Sequence, residues 1–160
     1  MNTFPLEDKS VIITGGLGGY GLAIANLIVK RGGRVLLADV KPEDDLKNSV
    51  EKTTHLKDAL EAKTLMYTKC DVTSEADIEA AFNFANQELA LPDKPVEVLI
   101  NGAGIVGEQN WEKLYEINIV SLLILMDIPT FSFKCILKIV IRAVHVKKNK
   151  FEKLISFVLL

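Results

Sequence analysis

The chain has 160 residues, 49% hydrophobic and 25% charged, with 19 Lys and Arg against 21 Asp and Glu. That is enough for one domain with a real core and too little for two, and a formal net charge of −2 provides neither a basic field for nucleic acid nor an acidic tail. Cys70 and Cys135 form no C-x-x-C, which argues against a zinc ribbon or a disulfide framework. The opening MNTFPLEDKS lacks the apolar stretch of a signal peptide and the Arg-rich character of a transit peptide, so a reducing, cytoplasmic setting is expected.

In chain order, Ser10 to Thr14 is a short β-rich run. Glycines follow, and then Leu22, Ala23, Ala25, Asn26, Leu27, Ile28 and Val29 in a helical pattern that Gly32 and Gly33 end, because a residue without Cβ tolerates a left-handed C-cap. Arg34 to Asp39 is the next strand. A polar, Lys- and Glu-rich helix is predicted over Glu43 to Leu60, a third strand over Thr64 to Lys69, and a helix capped by Ser74 from Glu75 to about Leu89. Pro92 and Pro95 mark a loop, Val96 to Asn101 is a fourth strand, and another helix starts near Asn110. The nearly continuous apolar strands and the βαβαβαβα alternation predict an α/β fold, a doubly wound parallel sheet of Rossmann-like type.

The glycines after the first strand carry the chemistry. Backbone amides at a helix N-terminus attract an anion, and glycines let a diphosphate approach the main chain with no Cβ in the way. Two readings fit the letters: G-x-G-x-x-G on Gly16, Gly18 and Gly21, or T-G-x-x-x-G-x-G on Thr14, Gly15, Gly19 and Gly21. Context adds weight, because a strand precedes, a helix follows, and Asp39 closes the second strand 18 residues after Gly21, near the ~20 expected of a ribose-binding acid. A carboxylate there accepts hydrogen bonds from the ribose hydroxyls and repels a 2′-phosphate. With no Arg or Lys in the loop, NAD is expected rather than NADP. The rival reading makes the glycines a tight turn and Asp39 a surface charge.

Over Lys9 to about Ser121 the sequence resembles the short-chain dehydrogenase/reductase family. The resemblance rests on the T-G-x-x-x-G-x-G loop, on CDVT, on NGAG and on LYEINIVS, and it favours the second glycine reading. It implies cofactor contacts from Thr14, Gly15, Leu17, Gly19, Tyr20 and Gly21, from Asp39, and from Asp71 and Val72 at the adenine. It also implies a turn beneath the nicotinamide ribose at Asn101, Gly102, Ala103 and Gly104. Asn118 stands where the family has a helix asparagine that holds a water in a proton relay, so it is the one catalytic match; otherwise an Asn in an apolar helix simply bonds backbone. Asp71 has a rival reading too, as a helix-entry residue ahead of TSEAD. Gly102 departs from the family's usual second Asn. NWEKLYEINIVS is similar to the NAD-linked 15-hydroxyprostaglandin dehydrogenase branch and NGAG to short-chain alcohol dehydrogenases.

The resemblance also requires a Tyr with a Lys four residues on, and a Ser on the preceding strand, all after Asn118. A neighbouring ammonium lowers the Tyr pKa toward working pH so that it can move the proton at the carbonyl oxygen. Position +4 is Ile24 after Tyr20, Asp71 after Tyr67 and Ile119 after Tyr115, so the chain contains no Y-x-x-x-K. From about Leu122 the text becomes apolar and basic with no glycine, and it resembles the family no further. The expected organisation is residues 1–121 as an NAD-binding portion and 122–160 as an atypical C-terminal tail on a truncated sheet of order 3-2-1-4. That tail would supply either a substitute strand, CILKIVIRAVHV, against the exposed fourth strand or a basic amphipathic helix. Charges and a proline interrupt its apolar runs, so no membrane span is expected. His55 and His145 lack metal-ligand spacing, so no metal is expected.

The resemblance implies an NAD-dependent oxidoreductase for a secondary alcohol or ketone, of hydroxy-fatty-acid or prostaglandin type, whose catalytic set is incomplete in this chain. The alternatives are a non-catalytic nucleotide-binding or interaction module, able to form a homo- or hetero-oligomer, and an unstable truncated product.

Overall fold

The computed structural model describes residues 5–51, 53–106, 110–121 and 124. Four strands, β1 (Ser10–Thr14), β2 (Arg34–Asp39), β3 (Leu65–Lys69) and β4 (Val98–Asn101), lie parallel in the order β3-β2-β1-β4. β1 and β2 are central. Every residue of β1 is buried, which is why its sequence runs apolar without alternation: both faces are covered.

Side chains alternate across the sheet and feed two separate cores. Val11, Ile13, Val35, Leu37, Leu65, Val98 and Ile100 join one cluster with α1 (Gly19–Val29), α2 (Asp44–Val50) and α3 (Thr54–Glu61). Ile12, Leu36, Ala38 and Leu99 face the other way, onto Ile78, Ala81 and Phe82 of α4 (Glu75–Phe84). A π-helical turn, Ala85–Leu89, continues α4, and a short α5 (Trp111–Tyr115) runs into a second, Glu116–Val120. Ile124 packs against the second cluster.

Ser74 caps α4 as its sequence predicts, its hydroxyl accepting from the Asp77 amide at 3.3 Å. Gly32 takes the left-handed turn after α1 with φ +78°. Gly33 does not; a Cβ there would stand 2.5 Å from Ile28 Cγ2, so packing rather than conformation requires it. The single helix predicted from Glu43 to Leu60 is two. Thr53 adopts an extended conformation, φ −139°, and starts α3 afresh. β4 begins at Val98 rather than Val96, whose amide instead donates to Asn86 Oδ1 at 3.0 Å.

Among the described residues β4 pairs only with β1. The strand or helix predicted for 122–160, and with it Cys135 and His145, lies outside the described residues except for Ile124.

Candidate functional site

In an open parallel sheet the crevice for a ligand forms at the carboxyl ends of the strands where the order reverses, here between β1 and β4. The chain ties these two ends together. Thr14 Oγ1 donates to Asn101 Oδ1 at 2.7 Å and accepts from the Ala103 amide at 3.3 Å, while the Gly102 amide donates to the Thr14 carbonyl at 3.1 Å. Thr14 is only 2% exposed, and its hydroxyl both donates and accepts within this clasp. Gly102 fits the same closeness, since a Cβ there would meet the Thr14 carbonyl oxygen at 2.8 Å.

After β1 the chain turns on Gly15, at φ +65°, with the Gly18 amide donating back to the Gly15 carbonyl at 3.0 Å. The Gly16 amide donates to the Ala38 carbonyl at 3.2 Å, and the Leu17 amide to Asp39 Oδ2 at 2.9 Å. The Leu17 side chain belongs to the α1-side core, 4% exposed, and its N–H donates to Asp39. Gly21 sits against the loop, where a Cβ would stand 2.6 Å from the Gly15 and Gly16 carbonyl oxygens.

Gly19 differs from all of these. It opens α1 with an ordinary φ, and a Cβ built on it would have nothing within 4 Å. Nothing in the fold requires glycine there, and glycine costs a helix about 1 kcal/mol relative to alanine. The first N–H groups of a helix have no intrahelical acceptor and carry the positive end of its dipole. Gly19 therefore leaves a bare, anion-favouring approach to the start of α1, with Tyr20 in the same first turn.

Asp39 ends β2 beside this loop. It is 7% exposed, with Oδ1 accepting from the Lys41 amide at 3.1 Å as Oδ2 accepts from Leu17. Each oxygen has a second lone pair, so the carboxylate can shape the loop and still accept from a ligand hydroxyl. Asp71 follows β3 and accepts through Oδ1 from the Thr73 amide at 3.0 Å and the Thr73 hydroxyl at 2.8 Å. Those two bonds hold its pKa below the ordinary carboxylate value against a partial desolvation, with the Lys113 charge adding to them. Its own amide donates to Asp77 Oδ2 at 2.9 Å. Asp71 thus performs the helix-entry task on one oxygen and keeps Oδ2 for another donor. Val72 beside it is buried. Burial and the neighbouring aspartates push the Cys70 thiol up to about 12, which keeps it protonated and unreactive.

Asn118, in the second π-helical turn, engages both ends of its side chain with one residue. Oδ1 accepts from the Ile105 amide and Nδ2 donates to the Ile105 carbonyl, each at 2.9 Å. A Cβ on Gly104 would lie 3.1 Å from Asn118 Oδ1. Asn118 therefore clamps the segment leaving β4, and Ile105 is the partner that the sequence did not disclose. The open surface concavities near Asn86 to Pro95 and beside β3 do not touch the glycine loop.

A model described as short chain dehydrogenase matches residues 9–131. The chain belongs to the short-chain dehydrogenase family. The match runs ten residues past the boundary expected at 121. Human 15-hydroxyprostaglandin dehydrogenase (NAD(+)) is 29% identical over 118 residues, which are 74% of this chain and 41% of that protein. Momilactone A synthase of Oryza sativa subsp. japonica is 32% identical over 125 residues, 72% of this chain and 41% of that protein. The chain thus spans about two fifths of the length of the curated relatives it matches. A short-chain dehydrogenase/reductase from Brucella melitensis, described as a glucose/ribitol dehydrogenase, superposes with a TM-score of 0.63 at 22% identity. It covers 78% of this chain and 52% of that one, and it confirms the Rossmann-like fold. No helix among the described residues is long and apolar enough to cross a membrane.

Proposed function

We propose that the chain binds a nicotinamide dinucleotide, NAD in preference to NADP, with its diphosphate at the N-terminus of α1. The observation that carries this is Gly19: a glycine that neither the backbone nor any neighbour demands, at the mouth of a helix beside a carboxylate. Asp39 would take the adenosine ribose hydroxyls and repel a 2′-phosphate, Asp71 Oδ2 the adenine amino group, and the turn Asn101 to Gly104 the nicotinamide ribose. When bound, the nicotinamide accepts or donates a hydride.

The proton is a different matter. These 160 residues contain no Y-x-x-x-K, and general acid–base catalysis of that kind is worth ~10²–10⁴-fold in rate, so the role proposed for these residues is dinucleotide binding. Asn118 holds the backbone after β4 in place, and as the family's helix asparagine it would hold a water in a proton relay. The proposed reading is a dinucleotide holder from a lineage that oxidises secondary alcohols or reduces ketones, of hydroxy-fatty-acid or prostaglandin type, working in the cytoplasm. Residues 1–121 would bind the dinucleotide. A second reading, a non-catalytic module that associates with another subunit, is favoured by Trp111, Tyr115 and Ile119, spaced four apart and 70%, 53% and 44% exposed.

Calorimetric titration of the full chain with NAD and NADP tests the first reading, alongside Asp39→Asn, which keeps one oxygen for the Leu17 amide. The parent should prefer NAD, and the variant should lose roughly ten- to a hundredfold in NAD affinity, the worth of a hydrogen bond to a charged acceptor. Tighter binding of NADP by the parent would overturn the role given to Asp39.

A further inference from the structure

Tyr67 is the residue in this region that neither the glycine loop nor the resemblance draws attention to. It lies on the edge strand β3, opposite Leu37 in the register, so its ring shares the α1-side face with Leu37 and Asp39 and packs partly buried against that cluster. A phenylalanine would pack equally well. The hydroxyl is the addition, and it reaches past the end of β2, where its one proton is shared between the carbonyl of Asp39, 3.1 Å away, and the carbonyl of Lys41. The Asp39 carbonyl also accepts from the Cys70 amide at 2.9 Å. The backbone on both sides of exposed Val40 is therefore pinned from β3.

That backbone in turn aims the Asp39 side chain. The Lys41 amide donates to Asp39 Oδ1 at 3.1 Å, so displacement of residue 41 moves one of the two donors that orient the carboxylate. The other donor, Leu17, belongs to the glycine loop. Burial and the nearby Asp39 and Glu43 charges raise the Tyr67 pKa, further from neutral pH than an ordinary phenol already is.

We propose that Tyr67 is a positioning residue for coenzyme discrimination. By holding the Asp39–Lys41 turn, its hydroxyl fixes where the Asp39 carboxylate stands and how strongly the site separates NAD from NADP. The inference rests on the dinucleotide reading above, because Asp39 must first be the ribose acceptor.

The test is calorimetric titration of Tyr67→Phe and Asp39→Asn, each as the full chain, with NAD and with NADP, and a thermal melt of both. Tyr67→Phe keeps the ring and should melt within a few degrees of the parent. Its NAD affinity should fall about three- to tenfold, the worth of one neutral hydrogen bond, with NADP affinity unchanged, so that the NAD:NADP ratio falls. A ratio unchanged in Tyr67→Phe but lowered in Asp39→Asn would overturn the role of Tyr67 and leave the ribose reading standing. Equal weakening toward both dinucleotides would likewise reduce Tyr67 to a structural residue. A ratio unchanged in both variants would remove the ribose reading itself.

Discussion

Gly15→Ala should destabilise the whole domain. Position 15 has φ +65°, a conformation that costs a residue with Cβ about 1–2 kcal/mol. The new methyl would also stand 2.8 Å from the Ala103 Cα and amide nitrogen and from the Gly102 carbonyl oxygen. These are backbone atoms that cannot swing aside, and overpacking of this kind costs roughly 1–3 kcal/mol more. Against a total stability of about 5–15 kcal/mol the sum is severe, and it falls on the junction that joins β1 to β4. A thermal melt should show a midpoint lowered by about 10 °C or more. An unchanged midpoint would mean that the loop does not close on the 102–103 turn.

Gly19→Ala should do the opposite to stability and still abolish most binding. A methyl at 19 meets nothing within 4 Å, and the helix gains up to about 1 kcal/mol of propensity, so the melting temperature should hold or rise. The same methyl projects into the approach to the α1 amides. Dinucleotide affinity should fall on the order of ten- to a hundredfold, the cost of a methyl forced into a close contact. Affinity unchanged in a well-folded Gly19→Ala protein would show that no ligand comes close to this turn. The two variants differ by four positions in a single loop, yet one measures the fold and the other the site.

Much of the frame was legible because parallel strands covered on both faces write themselves as apolar runs. Ser10–Thr14 and Arg34–Asp39 have the bounds that the letters predict, and Ser74 announces α4. The break between α2 and α3 was hidden by composition, since no Gly or Pro marks it. A signal was nonetheless present. The buried positions are Leu46 and Val50, then Leu56 and Ala59, and the step of six from Val50 to Leu56 is out of phase with a 3.6-residue repeat.

The site was legible in outline and not in its division of labour. Sequence spacing brings the glycines, Asp39 and Asp71 to the same strand ends, and the structure puts them there. A glycine is one letter whatever its reason, however. Gly15 answers to a left-handed turn, Gly21 to a carbonyl and Gly19 to open space, and only coordinates separate these. In the same way the bonds from Leu17 to Asp39 and from Asn118 to Ile105 cross between segments that no local pattern relates. Tyr67 gives no sign in the sequence beyond being a Tyr in a strand.

In the proposed reading the main-chain donors at the start of α1 receive the diphosphate of a dinucleotide. Amide chemical shifts of the ¹⁵N-labelled chain, followed through a titration with NAD, address it at those atoms. The largest changes should fall on the amides from Gly19 to Gly21, with smaller ones at Lys41 and Thr73 beside the two aspartates. Saturable shifts elsewhere with the amides of 19–21 unmoved, or no shift at all from a folded chain, would contradict it.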